Sequence, residues 1–280
     1  MALVNGILLG GVLALLGFGM NLMFGVVKII HMAYGQFVML GVYLIYTFYT
    51  LLHFPLLLSC AVVVLVMAVV GLITQRFIVS PLLSSNRLNQ LLALAGLILI
   101  VENFALFAWG ADYITIQLNL PIIQFGDLFI RTSFLMGFIG ALIVLGLLYL
   151  FLKKTYVGLA IRSATQDMEM AKLMGIKPAS IYYITLALGS ALTGVVASFF
   201  VPIYAVYPQF GGSFTVSAFI IVVLGGMGNL MGGFISAFII GIVTSVVAVV
   251  TTTEIAQIVV LVLFIAIMIV RPQGLLGEVS

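Results

Sequence analysis

The stretch Pro55–Gln75, PLLLSCAVVVLVMAVVGLITQ, contains no charged side chain and is almost entirely apolar. A helical run of roughly 18 apolar residues, rising about 1.5 Å per residue, is long enough to cross about 30 Å of hydrocarbon. The segment has to be helical there, because lipid offers no partner for a free backbone N–H or C=O group. This stretch therefore predicts one membrane-spanning helix.

The composition extends this prediction to the whole chain. Of its 280 residues, 65% are hydrophobic and only 6% are charged, whereas a soluble domain has about 25% charged residues. We therefore predict an all-α polytopic membrane protein, built as a single transmembrane domain over residues 1–280. Its main partner is the lipid bilayer. The basic residues are not gathered on one amphipathic surface, so no nucleic-acid partner is expected. The single cysteine, Cys60, cannot form an internal disulfide.

Charges, prolines and glycine clusters divide the chain into nine apolar segments, from which we predict eight to nine transmembrane passes. No Lys or Arg precedes Lys28, so the first segment is interpreted as a retained helix rather than a signal peptide. Segments 33–52 and 214–228 are short or interrupted by polar residues, which favours re-entrant or broken helices. The nine segments are 6–27, 33–52, 55–79, 91–109, 132–152, 183–203, 214–228, 232–250 and 255–270.

The distribution of basic residues predicts the orientation, because cytoplasmic loops retain Lys and Arg. An outward N-terminus puts only Arg131 outside, so we predict the N-terminus out and the C-terminus in. The first four and last four segments then begin on opposite sides, which predicts an inverted repeat joined by the fifth segment. The other nine basic residues all lie inside: Lys28, Arg76, Arg87, Lys153, Lys154, Arg162, Lys172, Lys177 and Arg271.

The predicted cytoplasmic loop 153–182 holds 7 of the 17 charged residues. Within it we predict a short helix over 166–174. Thr165 is the predicted N-cap, and Gly175 suits the left-handed position that ends a helix.

Two features of this short helix bear on its role. Asp167 and Glu169 lie in its first turn, where the helix dipole favours acidic side chains. Met170, Leu173 and Met174 fall on one side at i, i+3 and i+4 spacing. Such a face fits docking to a cytoplasmic partner, and it fits equally well a connecting loop that rests on the membrane surface.

Glycines and polar residues inside the apolar segments are candidates for the translocation path. The run Gly225-Gly226-Met-Gly228 should break a helix, and a break at depth is tolerated only where it is buried or lines a cavity. A carboxylate at depth, such as Glu102, should face protein or water. Glu102 and its neighbour Asn103 therefore either contact the path or make helix–helix hydrogen bonds.

Four more polar residues are candidates for the path: three lie near the start of the second segment, and one lies in the first segment. His31, Tyr34 and Gln36 stand where the second segment enters from the cytoplasm, as an inner gate or path lining, or as interfacial anchors. Asn21 in the first segment is more typical of a bond between helices than of a solute contact.

We predict that the outer loop 110–131 folds as a small lid or hairpin. In an importer this surface would receive a solute-binding protein, and the candidate contacts are Asp112, Asp127 and Arg131.

Four stretches resemble one known family. Glu169–Gly175 (EMAKLMG) is similar to the E-A-A-x-x-x-G loop of ABC importer permeases, which inserts a coupling helix into the ATPase. Phe24–Tyr43 (FGVVKIIHMAYGQFVMLGVY) resembles the YGxxxxxNFAHGEFxMLGAY signature of branched-chain amino-acid permeases. Val223–Gly232 (VLGGMGNLMG) and Arg271–Gly277 (RPQGLLG) resemble that family's VLGGxGxxxG and RPxGLxG segments. The chain is thus similar, from end to end, to the LivH-type permeases of the branched-chain amino-acid (and related urea and amide) ABC importer family.

The resemblance has departures. In the coupling loop Ala171 matches the second alanine of the family, but Met170 replaces the first. In the first signature His31 stands where the family has Asn, Tyr34 where it has His, and Gln36 where it has Glu. These last three changes bear on the solute and leave the coupling loop intact.

The resemblance implies a complex of two permeases, with this chain paired to a non-identical one. Two ATPase subunits and an extracytoplasmic solute-binding protein complete it, in the cell membrane. The chain contains no G-x-x-x-x-G-K-[ST] phosphate loop, so ATP and Mg²⁺ would bind the ATPase subunits. We expect no cofactor, metal site or catalytic residue in this chain.

Two other functions are weighed against the permease. An ATP-independent channel or ion-coupled carrier for a solute such as urea would use an ionisable group at depth, and Glu102 is the candidate. An intramembrane serine protease would need a His partner for Ser213, and both histidines lie near predicted interfaces.

Overall fold

The computed structural model describes residues 2–116, 118, 121–125 and 128–276. Within them the helices are joined by short connections and one antiparallel hairpin, in which β1 (Ile122–Phe125) pairs with β2 (Leu128–Arg131). The helices are α1 (Ala2–Val27), α2 (Tyr34–Tyr46), α3 (Leu56–Thr74), α4 (Ser80–Leu82), α5 (Arg87–Trp109), α6 (Thr132–Lys154), α7 (Tyr156–Gln166), α8 (Met168–Leu173), α9 (Pro178–Phe200), α10 (Gly211–Gly225), α11 (Leu230–Val250) and α12 (Thr253–Val270).

Each of the nine predicted apolar segments is a helix. In the described part of the chain, seven helical stretches are long and apolar enough to cross a membrane: α1, α3 continued through α4, α5, α6, α9, α11 and α12. The polytopic helical class is therefore confirmed. Two segments differ, because α2 has 13 residues and α10 has 15. At about 1.5 Å per residue, α10 alone falls short of the roughly 30 Å hydrocarbon layer, whereas the π-helical turn Thr47–Leu51 extends α2.

The first helix, α1, lies at the centre of the bundle, and glycines let its neighbour approach closely. A Cβ atom at Gly6 would lie 2.7 Å from the Cα of Ile242, and one at Gly10 would lie 3.0 Å from the Cα of Phe238. These contacts run α1 antiparallel to α11. Backbone approach of this kind is the usual way for membrane helices to associate where no hydrophobic effect drives them.

A second antiparallel pair, α3 with α9, is built in the same way. A Cβ atom at Gly71 would lie 2.5 Å from the hydroxyl oxygen of Ser190, and one at Gly194 would lie 3.0 Å from the Cα of Val64. In both pairs a helix from the first half of the chain, α1 or α3, packs against a helix from the second half, α11 or α9.

The two short helices meet at their N-termini. The backbone N–H of Gly35 in α2 donates to the hydroxyl of Thr215 in α10 at 2.9 Å, and Gly35 packs directly on the carbonyl of Gly211. The non-helical segments 28–33 and 201–210 lead the chain to this crossing from α1 and α9.

The crossing lies inside the helical body, which corrects one prediction. The Tyr34 hydroxyl lies against Gly19, in the second half of α1, and donates to the carbonyl of Gly189 in the middle of α9 at 3.5 Å. The second segment was predicted to begin at the cytoplasmic interface. That prediction was wrong because six residues of non-helical chain separate the end of α1 from the start of α2.

The far ends of several helices are joined by hydrogen bonds at what we call the basic end, the end containing Lys28, Arg162 and Arg271. The Lys28 amine donates to the backbone carbonyl of Thr165 at 3.4 Å. The backbone N–H of Leu275, just after α12, donates to the carbonyl of Leu224 in α10 at 2.7 Å.

Replacing Gly211 by Ala should destabilise the protein by about 1–3 kcal/mol, the usual cost of overpacking. The new methyl group would lie 2.7 Å from the Cα of Gln36 and against its amide oxygen. Gly212→Ala is the matched control, since no described heavy atom lies within 4 Å of a Cβ there. Thermal unfolding in mild detergent measures the difference. Equal melting temperatures for the two variants would contradict the α2–α10 crossing.

Candidate coupling and translocation site

The predicted coupling helix, α8, is defined at both ends by hydrogen bonds. The Asp167 carboxylate accepts from the backbone N–H groups of Glu169 and Met170 at 2.9 and 3.1 Å, as an N-cap does. At the other end Gly175 has φ of 84°. Its N–H donates to the carbonyl of Lys172 at 2.9 Å, and the next N–H donates to the carbonyl of Ala171 at 3.1 Å. These two bonds form a Schellman motif, which requires the left-handed residue that glycine supplies.

The predicted start of this helix was wrong by two residues. Thr165 was predicted as the N-cap, but its hydroxyl donates to the carbonyl of Ile161 at 2.9 Å within α7. The helix α7 was not predicted at all. Its signal was Thr155, whose hydroxyl accepts from the N–H of Gly158 at 3.0 Å and caps α7.

The outer face of α8 is apolar and exposed. Met170, Leu173 and Met174 are 62%, 80% and 81% exposed, whereas Ala171 is buried against the rest of the protein. On the polar side the Lys172 amine donates to Glu169 at 2.6 Å, and this hydrogen bond raises the pKa of Lys172. The helix therefore presents three unpartnered hydrophobic side chains at the basic end.

Thr165 connects this loop to the membrane helices. Its methyl group lies 3.0 Å from a Cβ position at Gly25 in α1 and 3.8 Å from one at Gly228. The Lys28 amine bonds the Thr165 carbonyl from the end of α1. A displacement of α7 would thus press on α1 and on the connection between α10 and α11.

That connection is the predicted glycine break. The helix α10 ends at Gly225, Gly226 and Gly228 have φ of 95° and 89°, and α11 begins two residues later. A Cβ atom at Gly225 would lie 2.6 Å from the Cα of Gly233, so the glycines also allow the two helices to cross in contact.

Asn21 satisfies the backbone of this break. Its amide nitrogen donates to the carbonyl of Asn229 at 2.7 Å, and its amide oxygen accepts from the N–H of Gly228 at 2.7 Å. The Asn229 side chain in turn caps α11 through Gly232 and donates to the carbonyl of Leu276 at 2.7 Å. Asn21 is therefore a buried residue whose hydrogen bonds join α1 to the connection between α10 and α11. A bond between helices is the role that its position in the sequence favoured.

A second polar cluster lies at the α2–α10 crossing. The Gln36 amide nitrogen donates to the Glu102 carboxylate at 2.5 Å, joining α2 to α5. Gln36 is buried and also packs on Gly211. Of the residues predicted to line the path, the fold thus pairs Gln36 with Glu102 here, and Asn21 with Gly228 at the glycine break.

His31 and Tyr34 are also buried, so neither anchors the protein at a membrane interface. The His31 ring packs edge-on against Phe37 at 5.0 Å and Tyr34 at 6.4 Å. Neither imidazole nitrogen has a hydrogen-bond partner among the described residues. Their assignment to a gate or a path lining stays a prediction.

The remaining predicted residues lie on surfaces. Asn103 is exposed on α5, and its amide donates only to the carbonyl of Leu99 in its own helix at 2.8 Å. Asp112 and Arg131 are exposed at the end opposite the basic end, and Asp127 lies outside the described residues. Asn103 therefore takes no part in the hydrogen bond between Gln36 and Glu102.

Three residues of these clusters were missed by the sequence analysis. Thr215 caps α2 from another helix, Asn229 caps α11, and Lys28 ends α1 with φ of 60°. Only Asn229 carried a local signal, because asparagine before an apolar run is a common N-cap.

These features define a class of protein: a polytopic helical membrane protein with an exposed helix in its largest charged loop. The sequence profile of the family described as branched-chain amino acid transport system / permease component matches residues 2–268. The chain belongs to this family, and the predicted resemblance is confirmed.

Individual relatives agree with this assignment. The chain is 28% identical to the high-affinity branched-chain amino acid transport system permease protein BraD of Pseudomonas aeruginosa, over 99% of this chain and 95% of the relative. It is 25% identical to the permease protein LivH of Escherichia coli, over 98% and 94%. It is 27% identical to the probable permease protein LivH of Methanocaldococcus jannaschii, over 99% and 92%. No solved structure matches the chain.

Replacing Asn21 by Ala should cost about 1–3 kcal/mol for each backbone group left unpaired at the break. Asn103→Ala is the control, because that exposed amide bonds only its own helix. The melting temperature in detergent should fall clearly for Asn21→Ala and little for Asn103→Ala. A fall of the same size in both variants would contradict the role of Asn21.

Proposed function

We propose that this chain is the membrane permease subunit of an ATP-driven importer for small polar solutes, with branched-chain or other amino acids as the main class. The observation that carries the proposal is the exposed face of α8, which is rigidly capped and joined through Thr165 to the membrane helices. The names of the relatives support the solute class.

The proposed orientation has the N-terminus outside and the C-terminus inside, with nine passes of which α2 and α10 are the short pair. The basic end is then cytoplasmic, as the positive-inside rule favours. The exchanged pairing of α1 with α11 and of α3 with α9, and the meeting of the α2 and α10 N-termini, support an inverted repeat.

The proposed complex contains two ATPase subunits, a second, non-identical permease and an extracytoplasmic solute-binding protein. ATP and Mg²⁺ bind the ATPase subunits, and this chain is not an enzyme. Asn103 supports a second permease, because it is exposed on α5 beside Phe104 and Phe107. An amide facing hydrocarbon is unfavourable, whereas a partner chain or a water-filled path would solvate it.

The proposed mechanism is alternating access, and the contacts of the coupling loop support it. Closure of the ATPase dimer pushes α8, and α7 passes the movement through Thr165 to Gly25 and Gly228. The helix α10 runs from this contact to its crossing with α2, where Gln36 bonds Glu102. A shift of α10 therefore changes the polar cluster that we assign to the path.

Replacing Leu173 by Ser should weaken binding of the ATPase and lower uptake at least tenfold, because it removes a hydrophobic contact from the docking face. Val250→Ser is the control, since Val250 is equally exposed but lies at the opposite end. Co-purified ATPase per tagged chain and uptake of labelled leucine are the two measurements. Unchanged recovery and uptake in a well-expressed Leu173→Ser variant would contradict coupling through α8.

The orientation is tested with single cysteines in a Cys60→Ser background. Tyr113→Cys and Met174→Cys place thiols at two exposed positions, 70% and 81% exposed in the native side chains. A membrane-impermeant maleimide should label Tyr113→Cys in intact cells, and Met174→Cys only after permeabilisation. The reverse pattern would overturn the orientation.

A further inference from the structure

A deep groove lies between α1, α6, α7 and α11 at the basic end. Its volume is about 1060 Å³, slightly above the roughly 300–1,000 Å³ of small-molecule pockets. Apolar side chains form its walls: Phe18 and Leu22 from α1, Leu145 from α6, Phe234 from α11 and Met268 from α12.

The groove reaches the outer surface of the helical body between α6 and α11. Tyr149 on α6 and Met231 on α11 line it and are 53% and 63% exposed. Gly146 also lines it, and no described heavy atom lies within 4 Å of a Cβ built there. Leu142, which lies further into α6, also lines the groove and is exposed. Because α6 is long and apolar enough to cross a membrane, this side of the groove would face hydrocarbon.

The other end of the groove is cationic and polar. Lys28 and Arg162 line it together with Gln166 and Gln273. The one ion pair within the described residues joins Lys172 to Glu169 on α8, so no acidic side chain of this part of the chain neutralises Lys28 or Arg162.

We infer that this groove binds an anionic phospholipid, with an acyl chain along the apolar walls and the phosphate between Lys28 and Arg162. The apolar walls and the side facing hydrocarbon match an acyl chain. The two cations at the membrane surface match an anionic headgroup, since each Lys or Arg near an anionic surface strengthens such binding about fivefold. The site is independent of which solute the protein carries.

The groove also touches the coupling contacts. Asn21, Thr165 and Gly228 are among its lining residues. A bound lipid would therefore lie against both the coupling loop and the glycine break, and would support the same contacts from the membrane side.

The test uses the full-length chain in mild detergent and native mass spectrometry with added dioleoyl phosphatidylglycerol or dioleoyl phosphatidylcholine. The wild type should retain phosphatidylglycerol in preference to phosphatidylcholine. Arg162→Gln should reduce the retained phosphatidylglycerol about fivefold. Arg87→Gln, which removes one positive charge outside the groove, should leave it unchanged.

A second pair of variants tests the position of the acyl chain. Gly146→Leu adds an apolar side chain to the groove, where a Cβ atom has no described heavy atom within 4 Å, and should lower retention of phosphatidylglycerol. Gly96→Leu is the matched control, because a Cβ at Gly96 also has no described heavy atom within 4 Å and lies on α5. Equal retention in both variants, or no preference between the two lipids, would overturn the site.

A photocrosslinker distinguishes lipid from a protein occupant. Met231→p-benzoylphenylalanine at the edge of the groove should crosslink to phospholipid in native membranes. A crosslink to a second permease, to an ATPase subunit or to the C-terminal residues of this chain, with no lipid adduct, would overturn the proposal.

Discussion

In hydrocarbon a backbone N–H or C=O group has no water to bond, so each interruption of a helix needs a partner from the protein itself. Among the described residues, 28–33 and 201–210 are non-helical where the chain approaches the α2–α10 crossing, and 226–229 is non-helical at the basic end. Thr215 bonds the free N–H of Gly35 in the first turn of α2, and Asn21 bonds the N–H of Gly228 and the carbonyl of Asn229 in the glycine break. The arrangement of α1, α2, α10 and α11 depends on these few bonds.

The same constraint connects structure to function. Non-helical backbone is tolerated inside a membrane protein where it is buried or lines a cavity, and transporters use such broken helices at their working sites. Here the break at Gly228 lies beside Thr165 of α7, and the crossing at Gly35 lies beside the bond between Gln36 and Glu102. The helix α10 joins the two, so under the proposed coupling it is the element that would carry a movement from the basic end to the polar cluster.

Much of the fold could be predicted from sequence, because hydrocarbon demands long uncharged helical runs. All nine segments are helices, and Gly175 ends α8 in the left-handed conformation. The depth of α2 could not be predicted, since it depends on where Gly35 meets Gly211 in another helix. The cap at Asp167 was missed because Thr165 two residues earlier is an equally good capping residue by type.

In the candidate site, too, single residues could be predicted from the sequence, whereas their partners could not. Asn21 was recognisable as a bond between helices, whereas its partners Gly228 and Asn229 lie more than 200 residues away. Gln36 and Glu102 were each conspicuous as polar groups in apolar segments, but nothing in the sequence paired them. Asn103 looked equivalent to Glu102, yet one residue on a helix turns a side chain by about 100°, and Asn103 faces outward.

The most direct test is to purify the tagged chain in mild detergent with whatever co-purifies, and to reconstitute the material in liposomes for uptake of labelled leucine. ATPase subunits and a second permease should be recovered, and leucine should accumulate only with ATP and a solute-binding protein. A chain that purifies without an ATPase, and moves solute by itself without ATP, would contradict the importer and favour a channel or carrier.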